Sequence, residues 1–327
     1  MLLGVQPFGV FSLWGCAASA GRRSSVAPFV MRGKQRMNGL REAEAIFGAT
    51  LRAAAFFTRL SISGRHFKSR GETAAGKSPG NRDGEIGGAR TSGASPAAPY
   101  RLGDDAHAFP LVGLIAAAPA AILLLVLPAA GLSPLVCGIL ALAALVAMTG
   151  ALHEDGLADV ADGLFGHQPR ERALEIMHDS RVGSYGAIAL ILSLGLRAAL
   201  LAELCASSPL LAACAVLAAG AAARGAMAAF WALTPSALDS GLAARAGQPS
   251  RSRGRASLIV GLAIGLGLAL PVAGPGSAIV AILVPTLVLV MFRRFILRRI
   301  GGQTGDCLGA AEQLCEMAVL LVLAATV

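Results

Sequence analysis

The chain has 327 residues, of which 55% are hydrophobic and 14% charged, and its mean hydropathy is +0.66. A formal net charge of +9 could indicate a nucleic-acid partner, but the basic residues lie in short connections between apolar runs. Membrane topology explains them better, so no nucleic acid is expected. Six cysteines form no C-x-x-C pair and no zinc spacing, which argues against a disulfide framework and a zinc site.

Three segments precede the first long apolar run. Residues 1–36 place a short apolar stretch before two arginines, the reverse of a signal peptide, and are predicted to be a disordered N-terminal extension. Residues 37–60 are amphipathic and predict an interfacial helix lying on the membrane. Residues 61–105 are rich in glycine, serine and charges of both signs, which predicts a flexible insertion. A membrane-embedded domain is therefore expected over residues 106–327.

Seven apolar runs have lengths near the ~20 residues that a helix needs to cross a bilayer. They cover residues 110–131, 133–151, 186–206, 209–232, 256–274, 276–292 and 310–327. Backbone polar groups in lipid must be satisfied within the segment, because no water is available there. The runs therefore predict an all-α fold, a polytopic integral membrane helical bundle with about seven transmembrane helices.

Arginine residues mark alternate connections between these runs. The connections at 128–134, 205–209 and 271–276 contain no lysine or arginine. The connections between them carry Arg170, Arg172, Arg181, Arg245, Arg251, Arg253, Arg255, Arg293, Arg294, Arg298 and Arg299. This alternation follows the positive-inside rule and places the N-terminus and the basic connections in the cytoplasm. The sequence thus predicts a multi-pass protein of the cell (inner) membrane.

An acidic motif follows the second apolar run. Asp155, Asp159 and Asp162 fall within about 60° of one another around a helix axis, so they share one face. Three neighbouring carboxylates repel one another, and a Mg²⁺ ion bridging to a phosphate-bearing substrate would relieve that repulsion. Asp179 could fold back to add a fourth carboxylate. The alternative interpretation is a solvated acidic face on a short helix.

Glycine residues mark two polar regions. Between the aspartates, glycine lowers helix stability by ~1 kcal/mol per residue against alanine, which indicates close approach of a ligand or a neighbouring helix. Residues 301–310 are also glycine-rich and precede the last apolar run. There, Gly305 and Asp306 are candidates for an anion site at a helix N-terminus, and Asp306 would contact either a metal or a substrate hydroxyl.

Two arginines are further candidates for substrate binding. Arg181 offers a planar fork for phosphate beside Asp179, which could instead cap the next span. Arg224 lies within an apolar run, where it either points into the bundle towards a carboxylate or phosphate, or snorkels to the end of its helix. Three neighbours of the motif rank lower: Glu154 points off the ligand face, and His153 and His178 are predicted to be structural.

Several of these segments together resemble a known family. Residues 149–164 read TGALHEDGLADVADGL, and shorter matching segments lie at 56–60 (FFTRL), 109–113 (FPLVG), 176–186 and 301–310. In this order they resemble the cobalamin synthase (adenosylcobinamide-GDP ribazoletransferase) family of integral membrane enzymes. The long acidic motif is highly specific, whereas the extension 1–36 and the insertion 61–105 depart from the family pattern.

The resemblance implies an enzyme of vitamin B12 (cobalamin) biosynthesis, and the positive-inside alternation predicts that its active site, at the acidic motif, faces the cytoplasm. It would transfer the cobinamide phosphate of adenosylcobinamide-GDP to α-ribazole or α-ribazole 5′-phosphate, releasing GMP and adenosylcobalamin or its 5′-phosphate, with Mg²⁺ required. Asp155, Asp159, Asp162 and Asp179 would hold the metal, or Asp162 or Asp179 would accept the proton of the attacking hydroxyl. Two other interpretations stay open: a membrane enzyme like the CDP-alcohol phosphotransferases, and a cation transporter.

Overall fold

The computed structural model describes residues 27–61, 100–239 and 245–326. Within these ranges the structure is helical apart from its connections, which include one isolated parallel bridge between Ser236 and Gln303. The helices are α1 (Ala27–Phe57), α2 (Phe109–Ala129), α3 (Pro134–Thr149), α4 (Leu152–Phe165), α5 (Arg170–Met177), α6 (Ser184–Ser207), α7 (Pro209–Leu233), α8 (Arg251–Ile300) and α9 (Gly305–Ala324), and a 3₁₀ helix (Leu102–Ala108) leads into α2. The chain divides into two compact units, residues 1–45 and 46–327, and the second contains the features described below.

Two N-terminal boundaries differ from the sequence predictions. Helix α1 begins at Ala27, so residues 27–36 of the predicted disordered extension are helical, while residues 1–26 lie outside the described part of the chain. The predicted insertion 61–105 also lies mostly outside it, but the 3₁₀ helix includes its last residues. These last residues are ordered because Asp105 accepts two hydrogen bonds from Arg52 (2.7 and 2.8 Å) and one from Tyr100 (2.9 Å).

Local signals explain where the helices begin and end. Ser208 precedes α7 and Ser250 precedes α8, and each side chain accepts a hydrogen bond from a backbone N–H three residues later (3.3 Å). Helix α3 begins with Pro134, at a position whose N–H would have no partner, and ends at Gly150, which has a left-handed φ of 65°. The predicted spans 110–131, 133–151, 186–206 and 209–232 lie within about two residues of the observed bounds of α2, α3, α6 and α7.

In the described part of the chain, five helices are long and apolar enough to cross a membrane: the run Leu102–Ala129, α6, α7, α8 and α9. Helices α3 and α4 meet at a bend of 89° and together would form a sixth, broken span. The sequence predicts about seven spans, and the difference lies in α8, whose 50 residues contain two of them. The protein is an all-α polytopic membrane protein, as predicted.

Helix α8 doubles back on itself at Gly274, which has φ 78° and ψ 170°. Gln248, just before α8, donates to the carbonyl oxygen of Thr234 (3.0 Å). Arg293, near the end of α8, donates to the hydroxyl oxygen of Thr234 (3.2 Å). A straight helix from Arg251 to Arg293 would be about 60 Å long at 1.5 Å per residue, so the two ends could not both contact Thr234 and α8 must be a hairpin. Its two arms contain the predicted spans 256–274 and 276–292.

Small residues allow the helices to pack closely. A Cβ atom on Gly113 of α2 would lie 2.6 Å from the carbonyl carbon of Gly220 in α7. One on Gly225 of α7 would lie 2.8 Å from the carbonyl oxygen of Ser257 in α8. Such approaches are typical of helix pairs in membranes, where close van der Waals packing drives association. On the outside of the bundle Ile191 is 70% exposed, as expected for a side chain that faces lipid.

The arginine-bearing connections meet at one end of the bundle. Arg170 of α5 donates to the carbonyl oxygens of Ile300 (3.0 Å) and Ala237 (2.8 Å). These bonds join the connections 166–169, 234–250 and 301–304 at one end of the bundle, and the N–H of Gly183 donates to Asp162 of α4, which brings the connection 178–183 to the same end. We term these connections, with the arginines of the adjoining helix ends, the basic end. The opposite connections, residues 130–133 and Ser208, contain no charged side chain. The observed fold therefore separates arginine-rich from arginine-free connections, as the alternation in the sequence predicts.

Candidate active site

A cavity of about 530 Å³ opens at the basic end. It lies between the end of α1, the start of α4, the end of α7 and the start of α9. Apolar side chains including Phe57, Met227 and Trp231 form part of its wall. Polar residues form another part, namely His153, Asp155, His178, Ser236, Arg245, Gln303, Thr304 and Asp306, and Gly305 also lines it. An apolar cavity with a few convergent polar groups is typical of a small-molecule site.

Tight packing positions helix α4, which carries the acidic motif. Gly150 and Ala151 have left-handed φ values of 65° and 60°, and at this turn the chain bends by 89° from α3 into α4. A Cβ atom on Gly156 would lie 2.8 Å from the carbonyl oxygen of Asp306 in α9. Gly163 packs in the same way against helix α5. Of the two predicted reasons for glycine in this motif, the structure shows close approach of neighbouring helices.

Asp155 of α4 and Asp306 of α9 meet in the cavity wall. Asp159 is half-buried behind them, within electrostatic range of Asp155, Asp306 and Asp162. The hydroxyl of Thr304 donates to the carboxylate of Asp306 (3.1 Å). Asp155 and Asp159 accept no hydrogen bond and form no ion pair with any residue that the structure describes. At Asp159 the repulsion from the neighbouring carboxylates outweighs the attraction of His178, as expected at a cation site.

Asp162 caps helix α6. Its two carboxylate oxygens accept hydrogen bonds from the backbone N–H groups of Gly183 (2.7 Å) and Gly186 (2.8 Å). A Cβ atom on Gly183 would collide with this carboxylate, so a larger residue there would displace Asp162 from its capping position. The interpretation in which Asp179 caps this span is therefore wrong, since the cap comes from a residue 21 positions before Gly183.

Asp179 and Arg181 pair with each other away from the cavity wall. Arg181 donates through Nε and Nη2 to the carboxylate of Asp179 (3.0 and 2.5 Å). These hydrogen bonds lower the pKa of Asp179 to about 2, so this carboxylate is ionised at neutral pH. Asp179 does not fold back to join the aspartates of α4. The side chain of Arg181 is 87% exposed. Its guanidinium group, predicted to bind phosphate, forms an ion pair with Asp179 instead.

Arg224 lies in a buried ion network behind the cavity, rather than in its wall. Its Nη1 atom lies 2.9 Å from Oε1 of Glu312 in α9, and Arg224 is 1% exposed. Of the alternatives drawn from the sequence, Arg224 thus points at a carboxylate inside the bundle and does not snorkel. Because this pair is sealed from the cavity, the predicted contact of Arg224 with a substrate phosphate is not available in this structure.

Arg197 of α6 forms the second half of this network. Its Nη1 atom lies 2.7 Å from Oε1 of Glu154 in α4, and its Nη2 atom lies 2.7 Å from Oε1 of Glu316 in α9. All three side chains are buried. The network therefore ties the start of the acidic helix to α6 and α9. The sequence places Arg197 inside an apolar run, as a weaker case of the same kind as Arg224, but it does not identify the glutamates that pair with it. The four-residue spacing of Glu312 and Glu316 on the last apolar run, which places both on one face, is the signal that points to them.

Arg245 is a cavity residue that sequence reasoning treated as a charge for topology alone. Among the described lining residues it is the one arginine or lysine. The segment that carries it is held to the end of α7 by Gln248, which donates to the carbonyl oxygens of Trp231 (2.8 Å) and Thr234 (3.0 Å). Gly305, the first residue of α9, lines the same cavity and brings a helix N-terminus with its partial positive charge.

The carboxylates fit a divalent cation when a phosphate completes its coordination. Within the described ranges no group of three or more His, Cys, Asp or Glu side chains is arranged to hold a metal ion. Asp162 and Asp179 have other partners, which leaves Asp155, Asp159 and Asp306 as candidate oxygen ligands. Mg²⁺ is usually bound through one or two carboxylates together with substrate phosphates, and this donor set fits that pattern.

The chain is similar to known proteins over most of its length. Residues 91–324 match the family model described as cobalamin-5-phosphate synthase. Adenosylcobinamide-GDP ribazoletransferase of Bradyrhizobium diazoefficiens is 45% identical over 230 residues, 70% of this chain and 86% of that relative. Relatives of the same name match from a Sinorhizobium species (45% identity, 69% of this chain, 87% of the relative) and from Azorhizobium caulinodans (46%, 68% and 85%).

No solved structure matches the chain at a significant level. The family match covers the acidic helix α4, helix α9 and every residue that lines the cavity except Phe56 and Phe57. Both the family model and the relatives agree with the resemblance that the acidic motif predicts. The chain belongs to the cobalamin-5-phosphate synthase family.

Proposed function

We propose that this protein is an adenosylcobinamide-GDP ribazoletransferase of cobalamin biosynthesis. A ribose hydroxyl oxygen of α-ribazole or α-ribazole 5′-phosphate attacks the phosphorus that bears the cobinamide, and the bond from that phosphorus to GMP breaks. The hydroxyl loses its proton, and GMP and adenosylcobalamin or its 5′-phosphate are released. One observation carries this proposal: a single cavity brings together Asp155 of the acidic motif, Asp306, an arginine and a helix N-terminus.

Two positive features of the cavity support binding of the diphosphate group of adenosylcobinamide-GDP. The guanidinium group of Arg245 can pair with phosphate oxygens, and the N-terminus of α9 at Gly305 favours an anion. Asp155 and Asp306 lie in the same wall and would repel a bare diphosphate. The substrate is therefore expected to bind together with a cation rather than alone.

Mg²⁺ is the cofactor that we propose, held by Asp155, Asp159 or Asp306 together with phosphate oxygens. When bound, this ion neutralises charge on the diphosphate and on the departing GMP. Phosphoryl transfer otherwise depends mainly on positioning, which Arg245 and the start of α9 provide for the donor. The apolar wall formed by Phe57 and Trp231 limits access of water, which would compete with the ribose hydroxyl.

The purified protein is expected to release GMP from adenosylcobinamide-GDP when both α-ribazole and Mg²⁺ are present. GMP is quantified by chromatography and the cobalamin product by its absorption spectrum. Reactions without α-ribazole, or with a chelator in place of Mg²⁺, are the controls and should release little GMP. Release that does not depend on α-ribazole would contradict the proposal. CMP release from a CDP-alcohol without GMP release would instead favour the CDP-alcohol phosphotransferase interpretation.

We also propose that the basic end faces the cytoplasm, with the protein in the cell inner membrane. The arginines of the basic end and the arginine-free opposite connections support this orientation. Arg181→Cys, at a side chain that is 87% exposed, is expected to react with a membrane-impermeant thiol reagent in inverted vesicles and to stay unlabelled in spheroplasts. The unaltered protein is the control. The opposite labelling pattern would reverse the orientation.

A further inference from the structure

A second cavity, of about 630 Å³, is a groove on the outside of the bundle between α4, α6, the second arm of α8 and α9. We term it the outer groove. Leu192 and Met291 line it and are 65% and 61% exposed, so it opens to the side of the protein that faces lipid. Its described lining residues are apolar except Ser193, whose hydroxyl donates to the carbonyl oxygen of Leu190 (3.2 Å). The outer groove therefore fits a hydrocarbon chain.

The outer groove has about the depth of one leaflet of a bilayer. On α6 its furthest lining residue is Leu196, about 18 Å along the helix from Ser184 at 1.5 Å per residue. On α8 its furthest lining residue is Val288, about 18 Å from Ile300 by the same measure. Ser184 and Ile300 both adjoin the basic end. Because the hydrocarbon core of a bilayer is about 30 Å thick, the groove spans the leaflet next to the basic end and stops near the centre.

Two arginines of α8 lie where the outer groove reaches the basic end. Phe295 is the last lining residue on α8, and Arg298 and Arg299 follow it by three and four positions, one helical turn further along the same side. Arg299 donates through Nη2 to the carbonyl oxygen of Leu164 near the end of α4 (2.8 Å), which places it beside the groove. Arg298 is exposed and forms no hydrogen bond or ion pair with any residue that the structure describes. Its positive charge is therefore available at the level of the lipid headgroups.

Aromatic side chains gather at the same end of the outer groove. The rings of Phe165 in α4 and Phe295 in α8 are stacked with centroids 6.0 Å apart, and the ring of Tyr185 in α6 lies 6.4 Å from Phe165. Tyr185 is half-exposed, and its hydroxyl can donate to a phosphate oxygen. Tyrosine is enriched at the membrane–water interface, because its ring is apolar and its hydroxyl polar. A headgroup at this level would meet both an arginine and a phenol.

We propose that the outer groove binds one anionic phospholipid of the leaflet next to the basic end. An acyl chain lies in the groove, the headgroup phosphate pairs with Arg298, and Tyr185 donates to a phosphate oxygen. A zwitterionic headgroup carries its own cation, which the arginines repel, so charge selects an anionic lipid. The chain packs on Val160 and Ala161, on the face of α4 that points away from Asp155. The inference does not rest on the proposed function, because it requires no substrate.

Native mass spectrometry of the purified protein in detergent tests this site by counting bound lipids during titration. Phosphatidylglycerol is expected to occupy one site about fivefold or more tightly than phosphatidylcholine with the same acyl chains. Arg298→Gln should weaken binding of phosphatidylglycerol about fivefold and leave phosphatidylcholine unchanged. Arg255→Gln is the matched control, since it removes an exposed arginine from the other arm of α8, which does not line the groove. It should change neither affinity.

Ala189→Trp tests the apolar part, because Ala189 lines the outer groove and an indole would fill it. This variant should lose the tight site for both lipids, and thermal unfolding in the same detergent reports on its folding. If it does not fold, the two arginine variants decide. Equal weakening by Arg298→Gln and Arg255→Gln would indicate diffuse attraction to the surface and overturn the inference. So would unchanged lipid binding in folded Ala189→Trp, displacement of phosphatidylglycerol by inorganic phosphate alone, or a dimer of the unaltered protein that Ala189→Trp abolishes.

Discussion

Replacing Asp155 by asparagine is expected to lower the turnover number about 100-fold or more, because a cation ligand worth several kcal/mol in the transition state is lost. The protein should still insert and fold. Asparagine keeps the side-chain volume, and Asp155 makes no hydrogen bond or ion pair with any described residue. Removing its charge relieves repulsion from Asp159, so the free energy of unfolding should stay the same or rise. GMP release and thermal unfolding measure the two effects.

Asp179→Asn is the matched control, since it makes the same chemical change in the same acidic region. Asp179 pairs with Arg181 away from the cavity wall, so its replacement should leave turnover nearly unchanged. Near-normal turnover in Asp155→Asn would remove Asp155 from the proposed site. A severe loss in Asp179→Asn would restore the four-aspartate site that the sequence predicts and contradict the placement of the site in this cavity.

Replacing Arg197 by methionine is expected to destabilise the protein by about 3–5 kcal/mol, because it leaves buried charges unpaired. Arg197 is 0% exposed, and its guanidinium group lies 2.7 Å from both Glu154 and Glu316. Methionine replaces the apolar stem of arginine and carries no charge, so the change removes the ionic contacts while keeping an unbranched side chain at this position. Unfolding by SDS titration in a fixed detergent measures it. Adding Glu316→Gln to the variant should recover part of the loss, because one uncompensated charge is removed.

The control for Arg197 is Arg172→Met, which removes an arginine from an exposed ion pair. Arg172 lies 2.9 Å from Glu175, with both side chains more than half exposed. Such pairs contribute less than about 1 kcal/mol, so stability should barely change. Equal destabilisation of the two variants would mean that the buried network contributes no more to the free energy of unfolding than an exposed ion pair does. In that case it could not hold the start of α4 in place.

Much of the fold was predictable because it depends on the pattern of apolar and charged residues a few positions apart in the sequence. The apolar runs located α2, α3, α6 and α7 to within about two residues, since each helix satisfies its own backbone. The spacing of Asp155, Asp159 and Asp162 predicted a shared face from helix geometry alone. The two spans within α8 were also predictable, although the hairpin that joins them depends on the backbone conformation of Gly274.

The partners of charged residues were not predictable in the same way. Asp162 and Asp179 look equivalent to Asp155 in the sequence, but one caps α6 and the other pairs with Arg181. Arg224 was assigned two possible partners inside the bundle, and a helical pattern cannot choose between them. For Arg245 the sequence indicates only a charge that sets the topology, because nothing near it in sequence shows that it lines the cavity.

Local sequence was therefore sufficient for the membrane helices, the acidic face and the family, since these depend on residues a few positions apart. Folding was needed to show which carboxylates reach the cavity and which are neutralised within the bundle. The contacts of Arg197 join residues 43 and 119 positions apart, through helices that meet only in the folded bundle. Burial makes each of those charges require a partner, and the packing of α4, α6 and α9 decides which partner it finds.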